Sequence, residues 1–515
     1  MRRGINLQLL QLVLVVAPAF VLFGYNQSNI GGYLSIRDWA LTFSEIDTVT
    51  TNGEEKERKH TIQGIVVATF TLGALIGALS CSWAGDRFGR RKTIFAAAIL
   101  TLIGEVLECS AFQLAQLIVG RTILGIGVGS LSAIVPVWQS ETSTSSRRGR
   151  NVVLGGMFIA LGYSLQAWIN LGFFQIKTGS LSWRLPIALP SVVSIMLMGT
   201  VWLFPESPRW LVAQGRVSEA RNNLAIIMGM PTEHSDSVTV QLDAIELSLE
   251  DNPAAGMKLK DMFTMGQDKL LYRFMLCITL QFFQQMTGGN LISVYSTIIF
   301  QNGLSLDSQT SRILSGGTLT WKFLSCFVAF LTIDRLGRRL VFMISGTGMA
   351  LCMMGLAVAT SFPSTNKPAQ VTSVCFVFLF NFFIPIGFLG ANFLYCTEVA
   401  PTQLRAKMAS ISTANHWLWN FVVTMVTPVA ISSIGYRYYI VYTCIGICVP
   451  FVVYFYYPES MGRSLEEMDS LFRESSSIRA VVRASLHAPR PASEEEPKYK
   501  TEEEDSRVEC MENKA

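Results

Sequence analysis

Long runs of apolar residues, broken by short polar stretches, dominate the chain. Runs of about twenty residues almost free of charge are long enough to cross a bilayer core as helices. Twelve can be read: 7–28, 61–84, 93–112, 116–138, 152–174, 184–204, 271–300, 311–332, 340–360, 371–395, 409–432 and 436–457. Backbone facing lipid must satisfy its own hydrogen bonds, so each run is expected to be an α-helix. The pattern therefore predicts an all-α membrane protein. The first run follows "MRR" and has the look of a signal peptide. It continues into the polar "FGYNQSNIGG" without a small-residue cleavage pattern, and eleven more runs follow, so it reads as a span.

Charge adds the orientation. Only 15% of the 515 residues are charged, against roughly 25% in soluble domains. A net charge of +4, scattered along the chain, gives no footprint for nucleic acid. Lys and Arg gather in alternate loops: Arg87, Arg90, Arg91 and Lys92; Arg147, Arg148 and Arg150; Arg335, Arg338 and Arg339; Arg405 and Lys407. The loops between carry few charges, so these basic loops and both termini are expected in the cytoplasm. The stretch 205–270 is polar and is expected to start short cytoplasmic helices, while 471–515, rich in Glu, Ser, Arg and Lys, is expected to be disordered. The ten cysteines show no metal-ligand spacing.

The chain also repeats itself. "DRFGRRK" at 86–92 recurs as "DRLGRRL" at 334–340; Glu141 recurs as Glu398, Arg148 as Arg405, and "PES" at 205–207 as 458–460. Two similar halves imply two pseudo-symmetric six-helix bundles, 1–204 and 271–457. A linker at 205–270 joins them and a cytoplasmic tail at 458–515 follows. Transporters built this way carry substrate near the midplane between the halves. The duplicated charges, Asp86 with Arg90, Glu141 with Arg148, Asp334 with Arg338 and Glu398 with Arg405, can latch neighbouring helices in one state and release them in another. The plainer reading is topological anchoring alone.

These motifs, in this order, resemble the sugar porter family of the major facilitator superfamily, over about residues 20–470. "FGYNQSNIGG" ends span one, the DRxGRR clusters follow spans two and eight, and "GRTILGIGVG" opens span four. "SWRLP" opens span six, "PESPRWL" and "PESMGRSLEEMDSLF" follow spans six and twelve, and "QQMTGGN" lies in span seven. The resemblance implies the major facilitator fold and alternating access for a sugar or related polyol, in a fungal-type member without cofactor or metal. The glycines of "GIGVG" have a bland reading that stands beside it: small residues let two helices approach closely.

Gln284, Gln285 and Asn290 are amides in an apolar span, where polar groups either bond another helix or line a wet cavity. The family uses the matching amides to hold sugar hydroxyls, and Tyr295 matches an aromatic near the outer gate. Trp417 and Asn420 also match. Elsewhere the chain departs from the pattern: Gly156 stands for a Gln in span five, Phe393 for a Trp in span ten, Lys322 for an Asn in span eight and His416 for an amide in span eleven. A pocket that gains a cation and an imidazole suits an acidic sugar derivative or a larger glycoside; alternatively Lys322 snorkels or pairs with a carboxylate.

Proton-coupled members carry an Asp in span one where this chain has Asn26, with an Arg in span four, here Arg121. Asn26 cannot titrate, which argues for facilitated diffusion. Against it stand His416, able to change charge near neutral pH, and Glu105 and Glu108, carboxylates inside span three. Glu105 and Arg121 fall at similar heights on adjacent antiparallel spans, so they are expected to pair. No nucleophile–base set or nucleotide-binding loop suggests an enzyme. The function expected is a plasma-membrane carrier of sugar-like compounds, working as a monomer in the lipid bilayer. Its alternatives are a proton-coupled symporter, quinate-like substrates included, and a non-transporting sugar sensor.

Overall fold

The computed structural model describes all residues except 1–3, 35, 49, 52, 144–147, 177–178, 231–234, 251–258, 364, 402–403, 464 and 488–515. Among the described residues twelve helical segments cross the molecule. Span one joins Ile5–Gln11, a π-helical turn Leu12–Val16 and Ala17–Ser28. Spans two to six are Glu54–Phe88, Arg90–Cys109, Leu114–Thr142, Arg148–Phe174 and Leu181–Leu203. Span seven is broken into Leu270–Met286 and Gly289–Ile298. Spans eight to twelve are Ser308–Leu336, Arg338–Thr360, Lys367–Val399, Arg405–Ser433 and Arg437–Tyr456.

Nine of these segments are long and apolar enough to span a membrane by length and composition alone. Spans three, seven and eleven are the others, and they are the spans that carry Glu105 and Glu108, the span-seven amides, and His416 with Asn420. Span seven falls outside that set because its break leaves two shorter helices. Apolar side chains such as Trp83, Val192, Leu331 and Phe451 are exposed. On a membrane protein these side chains meet lipid, which solvates them as well as a protein core would.

Two bundles of six spans make up the chain. In the first, span four packs on spans two and three, and span one on span five; in the second, span nine packs on spans ten and twelve, and span eight on span ten. A Cβ at Gly125 or Gly129 of "GIGVG" would strike the span-two backbone at Phe70 and Ala74, so these glycines hold two helices in close contact. The bundles meet through span two against span eleven and span five against span eight. Those two contacts are the same pairing seen from either half, as the repeat requires.

The break in span seven corrects the expectation of one helix over 271–300. Its cause is local: Gly288 has φ +96°, a left-handed conformation that a side chain resists. Between the bundles, Pro208–Ala213, Val217–Met228 and Asp236–Glu250 form short helices, with Leu211, Leu224, Val238 and Leu242 in a small core of their own.

Disorder was expected from 471 onward, yet Leu465–Glu474 and Ile478–His487 are helices. Composition hid their apolar face: Met468, Phe472 and Val481 bury against the second bundle. Arg273 pairs with Asp469, and Lys269 Nζ donates to the carbonyls of Phe472 and Ser475 at 2.6 and 2.7 Å. The rest of the expected disordered tail, 488–515, lies outside the described residues.

Candidate functional site

The span-seven amides face the interface between the bundles. Asn290 Nδ2 donates to Gln285 Oε1 at 2.6 Å, across the Thr287–Gly288 break. Gln285 Nε2 lies 3.1 and 3.2 Å from the two ring nitrogens of His416, whose Nδ1 is also in close contact with Gln284 Oε1. The expected amides and the imidazole that replaces a family amide therefore form one buried network. Phe393 packs on the His416 ring with centroids 5.7 Å apart.

The first bundle closes this network through residues that the sequence reading passed over. Tyr163 of span five donates to Gln27 Oε1 at 2.6 Å and approaches Asn290 Oδ1 at 3.4 Å. Gln166 accepts from Ser28 at 3.2 Å and donates to the Asn29 carbonyl at 3.3 Å. Span five therefore carries a buried amide at Gln166, ten residues and about 15 Å along the helix from Gly156. Gly156 itself abuts the span-ten backbone, where a Cβ would come within 2.5 Å of the Leu389 carbonyl. Gln27 and Asn29 were visible inside "NQSNIGG", but nothing in the periodicity separated them from a helix end.

Lys322 is buried, so it does not snorkel. Its Nζ donates to Ser293 Oγ at 2.7 Å and lies 4.7 Å from the centroid of Tyr163. Trp417 packs against Phe23 with centroids 4.9 Å apart and donates Nε1–H to Ser132 Oγ at 3.1 Å. Asn420 Oδ1 accepts from Thr424, while its Nδ2 has no partner. Tyr295 donates to the Thr424 carbonyl at 2.9 Å and lines a cavity of about 610 Å³. Leu34, His60, Gln63, Gln301 and Tyr439 also line it.

The expected Glu105–Arg121 pair does not form. Glu105 accepts from Asn26 Nδ2 at 3.0 Å and from Ser194 Oγ at 2.9 Å. Arg121 instead faces Glu108, at 3.8 Å, and donates to the Val67 carbonyl at 3.2 Å. Three residues along a helix turn the side chain by about 60° and lift it by about 4.5 Å. That offset gives Glu108 to span four and Glu105 to spans one and six.

At the charge clusters that follow spans two and eight the repeat is reproduced atom by atom. Arg90 pairs with Glu141 at 2.9 Å and Asp86 at 3.3 Å; Arg338 pairs with Glu398 at 3.0 Å and Asp334 at 3.1 Å. Among the described residues Glu141 pairs with Arg90; the expected Glu141–Arg148 pairing falls on a side chain outside the described residues. Arg405 donates to the carbonyls of Thr397 and Ala400 at 3.0 and 3.4 Å. The "PES" glutamates, not singled out from sequence, complete each cluster. Glu206 accepts from the N–H groups of Arg90 and Arg91, and Glu459 from those of Arg338 and Arg339, at 2.9 to 3.1 Å. Each carboxylate caps a helix N-terminus, where the helix dipole favours negative charge.

Over residues 12–472 the chain matches the family model described as "Sugar (and other) transporter". It is 34% identical over 462 residues to the MFS-type transporter oryC of Aspergillus oryzae, covering 89% of this chain and 84% of that protein. It is 32% identical over 460 residues to the sugar transporter STL1 of Saccharomyces cerevisiae, covering 88% and 80%. Among solved structures, it matches the proton:xylose symporter XylE, bound to 6-bromo-6-deoxy-D-glucose, with a TM-score of 0.79. That match covers 91% of this chain and 99% of that one, at 22% identity, a likeness of fold. With the motifs, the paired charge clusters and these matches in hand, this multi-pass membrane protein belongs to the sugar (and other) transporter family of the major facilitator superfamily.

Proposed function

We propose that the protein carries a sugar-like, hydroxylated compound across the membrane by alternating access. The compound would be held in the central network of Gln284, Gln285, Asn290 and His416, with Gln27, Tyr163, Trp417 and Asn420 around it. The observation that carries this reading is the buried chain of amide and imidazole groups at the junction of the two bundles. Neutral groups that donate and accept suit hydroxyls, each of which does both. Tyr295, beside the 610 Å³ cavity, fits an outer gate, and the Arg90 and Arg338 clusters fit inner latches. Relatives that bear sugar-transporter names support the substrate class. Expression in a cell without hexose carriers tests it: labelled sugar entering supports a carrier, and binding without flux supports a sensor.

Asn26 argues for facilitated diffusion. A second reading, proton-coupled transport, is favoured by the Glu105–Asn26 bond and the Glu108–Arg121 approach. Span three would then supply the carboxylate that span one lacks. Neither Glu108 oxygen has a hydrogen-bond partner, so this acid is well placed to change protonation as the bundles move.

The proposed domains are bundles at 1–204 and 271–457, a linker at 205–270 and a tail at 458–515, with both termini cytoplasmic. The proposed setting is the plasma membrane and the proposed working unit a monomer.

A further inference from the structure

Lys322 stands at the middle of span eight and is 1% exposed. The groups around its ammonium are a hydroxyl and an aromatic face, Ser293 Oγ and the Tyr163 ring. Among the described residues it forms no ion pair. A hydroxyl and a π-face soften a buried positive charge but do not neutralise it, and such a charge in a membrane interior needs a partner anion.

The amides around it show the same imbalance. Several of their oxygens accept a bond: Gln27 Oε1 from Tyr163, Gln285 Oε1 from Asn290, Gln166 Oε1 from Ser28 and Asn420 Oδ1 from Thr424, while Asn290 Oδ1 lies 3.4 Å from the Tyr163 hydroxyl. Asn29 Oδ1 accepts from Tyr33, and Gln284 Oε1 is held by His416. Three buried amide nitrogens are not taken: Gln27 Nε2, Asn29 Nδ2 and Asn420 Nδ2. Among the described residues the site therefore has a cation without a counter-charge and spare N–H donors, beside two unpartnered amide oxygens, Asn26 Oδ1 and Asn170 Oδ1. A neutral polyol asks for acceptors as well as donors, because every hydroxyl donates. A carboxylate only accepts, and an ammonium is its natural partner.

From this imbalance we propose that the transported compound is a hydroxylated carboxylate, a sugar acid or hydroxylated ring acid. Its carboxylate sits at Lys322 and its hydroxyls on the span-seven amides. The proposal rests on the carrier reading and narrows its substrate class. Lys322 sets the charge of what is accepted, and Tyr163, which touches both Lys322 and Gln27, ties the anion site to span one. Binding an anion there would also draw together spans one, five and eight, which belong to different bundles.

The test uses the purified full-length protein in lipid nanodiscs and in liposomes, at pH 7, where sugar carboxylates are ionised. D-glucuronate and D-glucose, which differ at one carbon, are compared, with D-galacturonate and quinate as further acids. Thermal stabilisation should show at least one of the acids binding ten-fold or more tighter than D-glucose. Lys322→Gln should remove that preference by ten-fold or more, and Lys322→Arg should keep most of it. Tighter or equal binding of D-glucose, binding of none of the acids, or an acid preference intact in Lys322→Gln each overturns the proposal. If Lys322→Gln fails to fold, the wild-type comparison still decides. Liposome flux separates the two readings: an acid that binds without crossing refutes the carrier and leaves the charge assignment standing. D-glucose carried with no acid bound refutes the charge assignment alone.

Discussion

Trp417 of span eleven donates its indole N–H to Ser132 Oγ of span four at 3.1 Å, a bond between bundles and between residues 285 apart in sequence. Ser132 lies nearer Thr142, the end of span four proposed to face the cytoplasm, than Leu114. Movement of the bundles that opens the inner side has to break this bond. Ser132→Ala removes the acceptor and leaves a buried N–H unpaired, a cost of about 1–3 kcal/mol. The inward-open population should rise about five-fold or more, read as longer spin-label distances between the inner ends of spans four and eleven. Unchanged distances would show that the bond carries no weight in the balance.

The network of span seven leads to a binding prediction. Gln285 bonds both Asn290 and His416, so Gln285→Ala removes one proposed substrate contact and unseats two others. Substrate affinity should fall at least ten-fold with normal membrane insertion. Gln284→Ala should weaken binding in the same direction. Normal uptake by both variants, measured against surface expression, would mean that the substrate binds elsewhere.

The matched inner clusters predict matched phenotypes. Arg90 joins Glu141 and Asp86, and Arg338 joins Glu398 and Asp334. Removing one partner of a largely buried pair costs about 3–5 kcal/mol, here in the state that the pair holds. Arg90→Ala and Arg338→Ala should each lower maximal uptake more than ten-fold while changing KM less than three-fold. A large change in KM with normal capacity would move these arginines from latches to the binding step.

For the proton-coupled reading, span three is decisive. An inward-directed proton gradient across liposomes should speed initial uptake, and Glu105→Gln or Glu108→Gln should make uptake indifferent to the gradient. The glutamine preserves shape and removes the titrating group. Wild-type uptake that ignores the gradient would return the protein to facilitated diffusion.

The break in span seven predicts a stability effect. Gly288 has φ +96°, and a Cβ there would strike Met353. Gly288→Ala should destabilise the protein by about 1–3 kcal/mol, seen as a lower thermal midpoint, with weakened binding because Gln285 and Asn290 lose their register. An unchanged midpoint would show that the break is not needed.

Much of the architecture is written in one dimension. Each span announces itself because lipid forces some twenty consecutive apolar residues and an internally bonded backbone. The repeat places Asp86 opposite Asp334 with no knowledge of contacts. The span-seven amides, Tyr295 and the departures at Lys322 and His416 could also be picked out residue by residue, through resemblance. Partners could not. Whether Arg121 meets Glu105 or Glu108, whether Arg90 reaches Glu141, and where Gln166 finds its partners depend on helix rotation and height. A span's hydrophobicity barely constrains either. The helices at 465–487 were hidden for a related reason: their few apolar residues gain meaning only against the bundle that buries them. Sequence determined that two six-span halves cross a membrane with polar groups inside; only the packed structure decided which polar atoms are satisfied. Among the described residues that remainder includes a lysine without an anion and the unpaired amide nitrogens of Gln27, Asn29 and Asn420, and it arises because hydrogen bonds and ion pairs are settled over a few ångströms between residues far apart in the chain.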